Sequence, residues 1–258
     1  MPIVTVDFLR RLAAVAAAET LPRFRSRGAI SNKLGTGFDP VTEADREAER
    51  AIRGAIGAAF PDHGIVGEEF GTENASARHV WVIDPIDGTR AFISGLPLWG
   101  TLIGLTEDGH AVAGLMAQPF TGEIYYALDG KSHYEGPGGP LELRSRATNS
   151  LAEATLCTTT PALFSGAMGD SYRRLESQVR LARYGTDCYA YAMVAAGHVD
   201  LVVETGLKPY DIVALIPIIE AAGGVVTTWD CGPAESAGDI VAAGNPALHA
   251  AALAVLNR

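Results

Sequence analysis

The stretch that most constrains the fold is Val80-Trp81-Val82-Ile83-Asp84-Pro85-Ile86-Asp87-Gly88-Thr89-Arg90. Its opening residues are apolar, mostly β-branched or aromatic, and read as a buried strand. The run breaks at Pro85 and Gly88. Pro85 disfavours helical backbone at the residue before it and so holds Asp84 extended. Two carboxylates, Asp84 and Asp87, therefore leave a strand end close together. Like charges at short range need a partner, and a bound cation is the usual one. Gly88 lets the backbone approach a ligand with no Cβ in the way. Thr89 to Ile93 reads as the first turn of a helix, whose N–H groups suit a phosphate. The stretch thus sets oxygen ligands for a divalent metal beside an anion site, the equipment for metal-assisted hydrolysis of a phosphate ester. The same residue types also favour a plain surface turn, so the choice between the two rests on the remainder of the chain.

A chain of 258 residues suits one large domain or two closely packed halves. With 48% hydrophobic and 19% charged residues it can bury a sizeable core. The formal net charge of −10 argues against nucleic acid or an anionic membrane as a partner. It would also repel a phosphate ester unless bound Mg²⁺ reversed the local sign. Cys157, Cys188 and Cys231 are far apart, without the spacing of a zinc knuckle or a disulfide framework. The six histidines show no ligand spacing either. Residues Met1 to Arg11 lack the order of a signal peptide, and no apolar run approaches the roughly 20 residues of a membrane span. The expected location is cytoplasmic.

Periodicity predicts an amphipathic helix from Val6 to Arg27, with Phe8, Leu12, Val15 and Ala16 on one face. A glycine-rich loop carrying Lys33 follows. Thr42 to Asp45 resembles a capping box, and Arg46 to Phe60 continues as a helix. Ile65 to Glu69 reads as a short strand ending in two acids. After the central stretch, Leu98–Thr106 and Ala111–Gln118 read as a hairpin, and Glu123–Leu128 as a third strand. The glycines and prolines of Asp129–Pro140 predict a boundary, giving an α+β half over 1–135 and an α/β half over 136–258. Beyond it, strands at Ala154–Thr159, Leu181–Tyr184, Val199–Glu204, Val225–Thr228 and Ile240–Ala243 alternate with helices. Those helices are read at Ala162–Gln178, Asp187–Ala196, Asp211–Ala222 and Ala247–Leu256. Such alternation argues for a sheet covered by helices.

A metal cluster needs more than two acids. Glu68 ends a strand, and Asp211 begins a helix after Lys208-Pro209-Tyr210. Each has a plainer role available, Glu68 in a solvated pair with Glu69 and Asp211 as a helix cap. Asp45 has the same helix-start alternative. Gly67-Glu68-Glu69, then Trp81 to Thr89, then Tyr210-Asp211-Ile212-Val213-Ala214 and Glu220-Ala221-Ala222-Gly223-Gly224, follow in an order and spacing that resembles the inositol monophosphatase family. Its members are Mg²⁺-dependent, lithium-sensitive phosphatases, and the likeness covers nearly the whole chain.

The resemblance implies an α/β (α+β) fold, a layered α/β/α/β/α sandwich of the inositol monophosphatase/fructose-1,6-bisphosphatase type, and a homodimer. It implies two to three Mg²⁺ ions per site. Glu68, Asp84 and the Ile86 carbonyl would hold the first; Asp84, Asp87 and Asp211 the second; a looser third would sit near Glu68. Glu68 and Thr89 would position and deprotonate the attacking water. Asp87, Gly88 and Thr89 would bind phosphate, and Asp45 would orient a water or Thr89. Lys33 resembles the family's phosphate-side lysine. Oxygen donors select Mg²⁺ over softer metals, in agreement with that ligand set.

Arg90-Ala91-Phe92-Ile93-Ser94-Gly95, Leu96 to Ile103, and Gly185-Thr186-Asp187-Cys188-Tyr189-Ala190-Tyr191-Ala192 resemble the histidinol-phosphate phosphatase branch. Its product is a cationic amine bearing an imidazole. Asp187 and Glu204 would then line the leaving-group pocket, where carboxylates suit an ammonium and an imidazole N–H. Asp187 has a helix-cap alternative, and a Glu at the position of Glu204 also serves inositol-specific members. Arg90 is either a solvated helix residue or a phosphate or substrate contact. Trp99 is expected in the core. Tyr189 and Tyr191 cannot both face one site, because residues i and i+2 diverge on a helix. Inositol-1-phosphate or a broad range of sugar phosphates is the alternative substrate class. A nucleotide bisphosphatase acting on 3′-phosphoadenosine 5′-phosphate is a third, and a catalytically dead binding protein on the same fold a fourth.

Overall fold

The computed structural model describes residues 4–26, 30–32 and 40–258. In chain order its first part holds α1 (Val6–Thr20), β1 (Ile30–Asn32), β2 (Pro40–Thr42), α2 (Glu43–Ala59), β3 (Gly64–Gly67), β4 (Gly71–Glu73), β5 (His79–Asp87), α3 (Thr89–Ile93), β6 (Gly100–Glu107), β7 (His110–Gln118), β8 (Glu123–Leu128), β9 (Lys131–Glu135) and β10 (Leu141–Glu142). The second part holds β11 (Thr155–Thr158), α4 (Gly166–Glu176), β12 (Leu181–Tyr184), α5 (Asp187–Ala195), β13 (Leu201–Leu207), α6 (Pro209–Ile212), α7 (Leu215–Ala221), β14 (Val225–Thr228), β15 (Gly238–Ala243) and α8 (Pro246–Leu256).

Eight strands form one sheet, in the order β10-β9-β8-β7-β6-β5-β3-β4, and five form another, in the order β12-β11-β13-β15-β14. Side-chain alternation along the strands decides which layer each face meets. On β5, Trp81 and Ile83 point toward α1 and α2, where they join Leu9, Leu12, Ile52 and Ile56 in one buried cluster. Asp84 points to the opposite face, in a cross-strand row with Leu102 and Met116. Those two residues pack with Tyr191 and Val194 of α5, Ile218 and Ile219 of α7, and Val202 and Ile240 of the second sheet. The far face of that sheet carries Leu201, Val203 and Val241 against Tyr172 and Leu175 of α4 and Leu248 and Leu256 of α8. The layers therefore run α, β, α, β, α, as the sequence implied.

Three expectations change. The first helix stops at Thr20, two residues before Pro22, whose ring disfavours continuation. The Asp129–Pro140 segment contains β9, paired antiparallel with β8, so the first sheet continues through it. The single helix expected over Asp211–Ala222 is two, with Ala214 at the joint. Pro217 accounts for the break: it has no N–H, and its ring crowds the carbonyl four residues earlier, at Val213.

That joint sits on a gap in the first sheet. Gly104 and Gly114 face each other on β6 and β7. A Cβ on Gly114 would overlap the Ala214 carbonyl oxygen, and one on Gly104 would come 2.8 Å from the Ala214 amide nitrogen. The two glycines let the α6–α7 joint lie against the sheet, which brings Asp211 to the end of β5. Gly114→Ala is expected to cost about 1–3 kcal/mol by overpacking. Gly54→Ala, in α2 with open space at its Cβ position, should instead stabilise by about 0.5–1 kcal/mol. Urea denaturation of the two variants checks both signs.

Candidate active site

Asp84 and Asp87 are three residues apart, a spacing that puts side chains on opposite faces of a regular strand. They converge because the strand is irregular between them. Asp84 pairs with Leu102 and Asp87 with Gly100, so β5 has one residue more than its partner over this step. The extra residue is a β-bulge at Pro85-Ile86, which turns Asp87 back to the face of Asp84. Pro85 suits the place, having no N–H to leave unpaired. Its carbonyl accepts from the Thr101 hydroxyl at 2.8 Å.

Asp211 completes the group. One oxygen from each of Asp84, Asp87 and Asp211 lies within 4.8 Å of the others. Asp84 is also in hydrogen-bond contact with Glu68, and Asp211 with Asp84. Each of the three aspartates has an oxygen held by a backbone amide: Asp84 by Ile86 N at 3.0 Å, Asp87 by Cys188 N at 2.7 Å and Asp211 by Lys208 N at 2.7 Å. The helix-cap alternative for Asp211 is realised without excluding the other role, since Lys208 N is the cap amide of α6.

Burial raises the pKa of Asp84 and Asp87 well above the ordinary carboxylate range, and neighbouring carboxylates push the same way. Asp211 is pushed up to about 7, chiefly by burial. Crowded oxygen-only donors, one buried and two half-buried, fit a hard divalent cation, which would compensate their charge.

Asp45 is buried at the third position of α2, and one of its oxygens accepts from both the backbone N–H and the hydroxyl of Thr42. Burial raises it to about 6, and the charge of Glu68 adds to the rise. It is therefore a helix cap beside the cluster. Thr89 opens α3 and donates its hydroxyl to the Ile86 carbonyl at 3.1 Å. Gly88 holds φ at +82°, the left-handed conformation that the turn into α3 requires. Lys33 lies outside the described residues.

Asp187 is not a side-chain cap of α5. It holds a left-handed backbone, with φ at +41°, unusual for a residue with a Cβ. Its carboxylate accepts from the Thr159 hydroxyl at 3.0 Å and would lie 3.0 Å from a Cβ placed on Gly88. Burial raises its pKa, partly opposed by the Arg90 guanidinium. Glu204 is only 2% exposed. Its oxygens accept from Thr159 N at 2.5 Å and the Thr158 hydroxyl at 3.2 Å, and burial pushes its pKa to about 7. The structure thus puts Glu204 beneath Thr159, with Asp187 on the other side of that residue. Tyr189 reaches Glu123 on the first sheet at 2.8 Å, while Tyr191 packs in the layer between the sheets. Trp99 is buried among Phe24 and Phe92.

Sequence reasoning missed Thr159 and the Cys188 amide. The run Thr158-Thr159-Thr160 at a strand end was a signal for the first. The second had none, because a backbone N–H is the same in every residue.

The profile of the inositol monophosphatase family matches residues 4–258. The chain belongs to that family. It is 40% identical over 264 residues to the bifunctional phosphatase IMPL2, chloroplastic, of Arabidopsis thaliana, covering 95% of this chain and 75% of the relative. It is 39% identical to a histidinol-phosphatase of Chlorobaculum parvum, covering 83% and 81%. Among solved structures, an inositol monophosphatase of Zymomonas mobilis superposes with a TM-score of 0.86 at 39% identity, covering 98% and 97%. As a family member the chain is a phosphatase. No helix among the described residues is long and apolar enough to cross a membrane.

The raised acids make stability depend on pH. Asp45, Asp211 and Glu204 titrate at about 6, about 7 and about 7 in the folded chain, against about 4 when unfolded. Their protons are held longer in the folded state, so their contribution is complete below about pH 4 and is lost as pH climbs through the folded values. The cation-free protein should therefore melt at a higher temperature at about pH 5 than at about pH 8. A divalent cation should recover stability at the higher pH. Thermal melts in chelator that coincide at both pH values would contradict the burial of these groups.

Proposed function

We propose that the protein is a Mg²⁺-dependent phosphomonoesterase whose preferred substrate is histidinol phosphate, which it hydrolyses to histidinol and phosphate. The phosphatase class follows from the family. The substrate reading is carried by Asp187, a carboxylate set against Gly88 by a strained backbone and a threonine hydroxyl. Its position against Gly88, at the turn into α3, sets that carboxylate beside the expected phosphate site. A carboxylate there recognises a cationic leaving group by a charge-assisted hydrogen bond, whereas a neutral cyclitol needs only hydroxyl partners. The histidinol-phosphatase of Chlorobaculum parvum and others like it among the relatives support this choice.

In this reading Glu68, Asp84, Asp87, Asp211 and the Ile86 carbonyl hold the cations. A Mg²⁺ ion held there would supply a more acidic bound water and compensation for the charge on the departing oxygen. Glu68 and Thr89 would orient the attacking water; its proton would pass to the Glu68 carboxylate, directly or through the Thr89 hydroxyl, as the bond from phosphorus to the leaving oxygen breaks and that oxygen takes a proton from solvent. The amides of Gly88 and Thr89, at the start of α3, receive phosphate oxygens. Asp187 pairs with the ammonium of the leaving group. Glu204 acts through Thr159: it holds the Thr159 amide, and the Thr159 hydroxyl holds Asp187.

The test is phosphate release, with Mg²⁺, from histidinol phosphate, inositol-1-phosphate and fructose-1,6-bisphosphate. A kcat/KM preference of roughly a hundredfold for histidinol phosphate, about 2.7 kcal/mol, is expected. Asp187→Asn should raise KM for histidinol phosphate on the order of tenfold, about 1.4 kcal/mol, and leave the neutral ester unaffected. Equal losses on both esters would reduce Asp187 to a structural residue. A flat substrate profile in the unmutated enzyme would favour the inositol and sugar phosphate alternative. Asp84→Asn should abolish nearly all turnover on every ester; full activity would remove the cation cluster from the mechanism.

A further inference from the structure

A carboxylate outside the cluster is completely buried one turn along α2 from Asp45. Glu49 is 0% exposed, and as residue i+4 it shares a helix face with Asp45. Burying a charge is costly unless it is paired and hydrogen-bonded. Glu49 meets that condition. Its carboxylate accepts from Arg53 Nε at 2.8 Å, Glu69 N at 2.7 Å and Phe70 N at 3.2 Å. Arg53 is the next residue along the same face and also donates to the Gly71 carbonyl.

Those amides belong to the two residues that follow Glu68. On its other side, Glu68 N donates to the Ile83 carbonyl at 3.2 Å, one residue before Asp84. The Glu68 backbone is thus bracketed between β5 and the Glu49 carboxylate. The preceding residue, Gly67, makes room for this clamp, because a Cβ there would overlap the Glu49 carboxylate.

We propose that Glu49 is a positioning residue: with Arg53, it holds the turn after β3 at the one height where Glu68 reaches Asp84. It therefore sets the affinity of the cluster for its cation without touching that cation. This rests on the reading of Glu68 and its neighbours as cation ligands.

The experiment is isothermal titration of the chelator-treated protein with Mg²⁺, alongside the Mg²⁺ dependence of phosphate release. Wild-type protein is measured first; no Mg²⁺ binding there would overturn the ligand assignment itself. If it binds, Glu49→Gln should weaken Mg²⁺ affinity by roughly tenfold to a hundredfold, the usual effect of losing a partner that orients a ligand. KM for the ester at saturating Mg²⁺ should stay within about twofold of wild type, and much of kcat should return there. Glu49→Asp, which keeps the charge on a shorter arm, should fall between the two. A lower melting temperature with unchanged Mg²⁺ affinity would show a merely structural role and overturn the proposal. Should Glu49→Gln not fold, Arg53→Met decides: it leaves both amide bonds in place and should weaken Mg²⁺ in the same direction by a smaller factor. Unchanged affinity in that variant would count equally against the clamp.

Discussion

The repulsion among four acids is the constraint on which the molecule depends. Glu68, Asp84, Asp87 and Asp211 come from the turn after β3, the end of β5 and the start of α6, and they meet with Asp84 buried and the other three half-buried. Neither burial nor proximity favours charged carboxylates. Rigid backbone opposes the tendency to separate. A main-chain amide takes one oxygen of each aspartate, and the donors lie in three different segments. One of them, Cys188, is 101 residues from its acceptor. Asp84 and Asp211 are thus fixed by local turns, two and three residues from their donors, while the tertiary fold supplies the amide that fixes Asp87.

The layered architecture serves the same end. Trp81 and Ile83 commit one face of β5 to the outer helices, which leaves Asp84 facing inward. Asp211 reaches it only because the α6–α7 joint can lie on the paired glycines of β6 and β7. Glu68 arrives along β3, the strand that runs parallel to β5 and whose last residue, Gly67, lies level with Ile83, next to Asp84. Hydrophobic sorting of faces, a proline break and two missing side chains thus bring together acids that their charges would keep apart.

Much of this was legible in the chain. The apolar run before Asp84 and the alternation of strands and helices announce themselves through periodicity and turn chemistry, whereas Glu68 and Asp211 each have a plainer reading and join the cluster only through the family resemblance. What escaped is what periodicity does not encode. Pro217 carried a visible signal for a helix break, but the apolar pattern across Asp211–Ala222 masked it. Strands β4, β9 and β10 are short, or lie in glycine-rich sequence, and owe their conformation to pairing with neighbours. Glu204 is placed in the leaving-group pocket by the family resemblance. Its contact with Thr159 cannot be read there, since hydrogen bonds between segments 45 residues apart have no local signature.

The bulge in β5 has a consequence of another kind. Asp84 and Asp87 share a face because one strand carries a residue that its neighbour lacks. What this place in the chain stores is a count. Many exchanges at Ile86 would leave that count intact, and the carboxylates with it. Removing a single residue between the two aspartates would leave them on one face of a regular ladder, the second still opposite Gly100, but the Pro85 carbonyl that accepts from Thr101 and the Ile86 carbonyl that accepts from Thr89 could not both remain. The number of residues between the aspartates is therefore as much a part of the site as their identity, because it decides which carbonyls the turn presents.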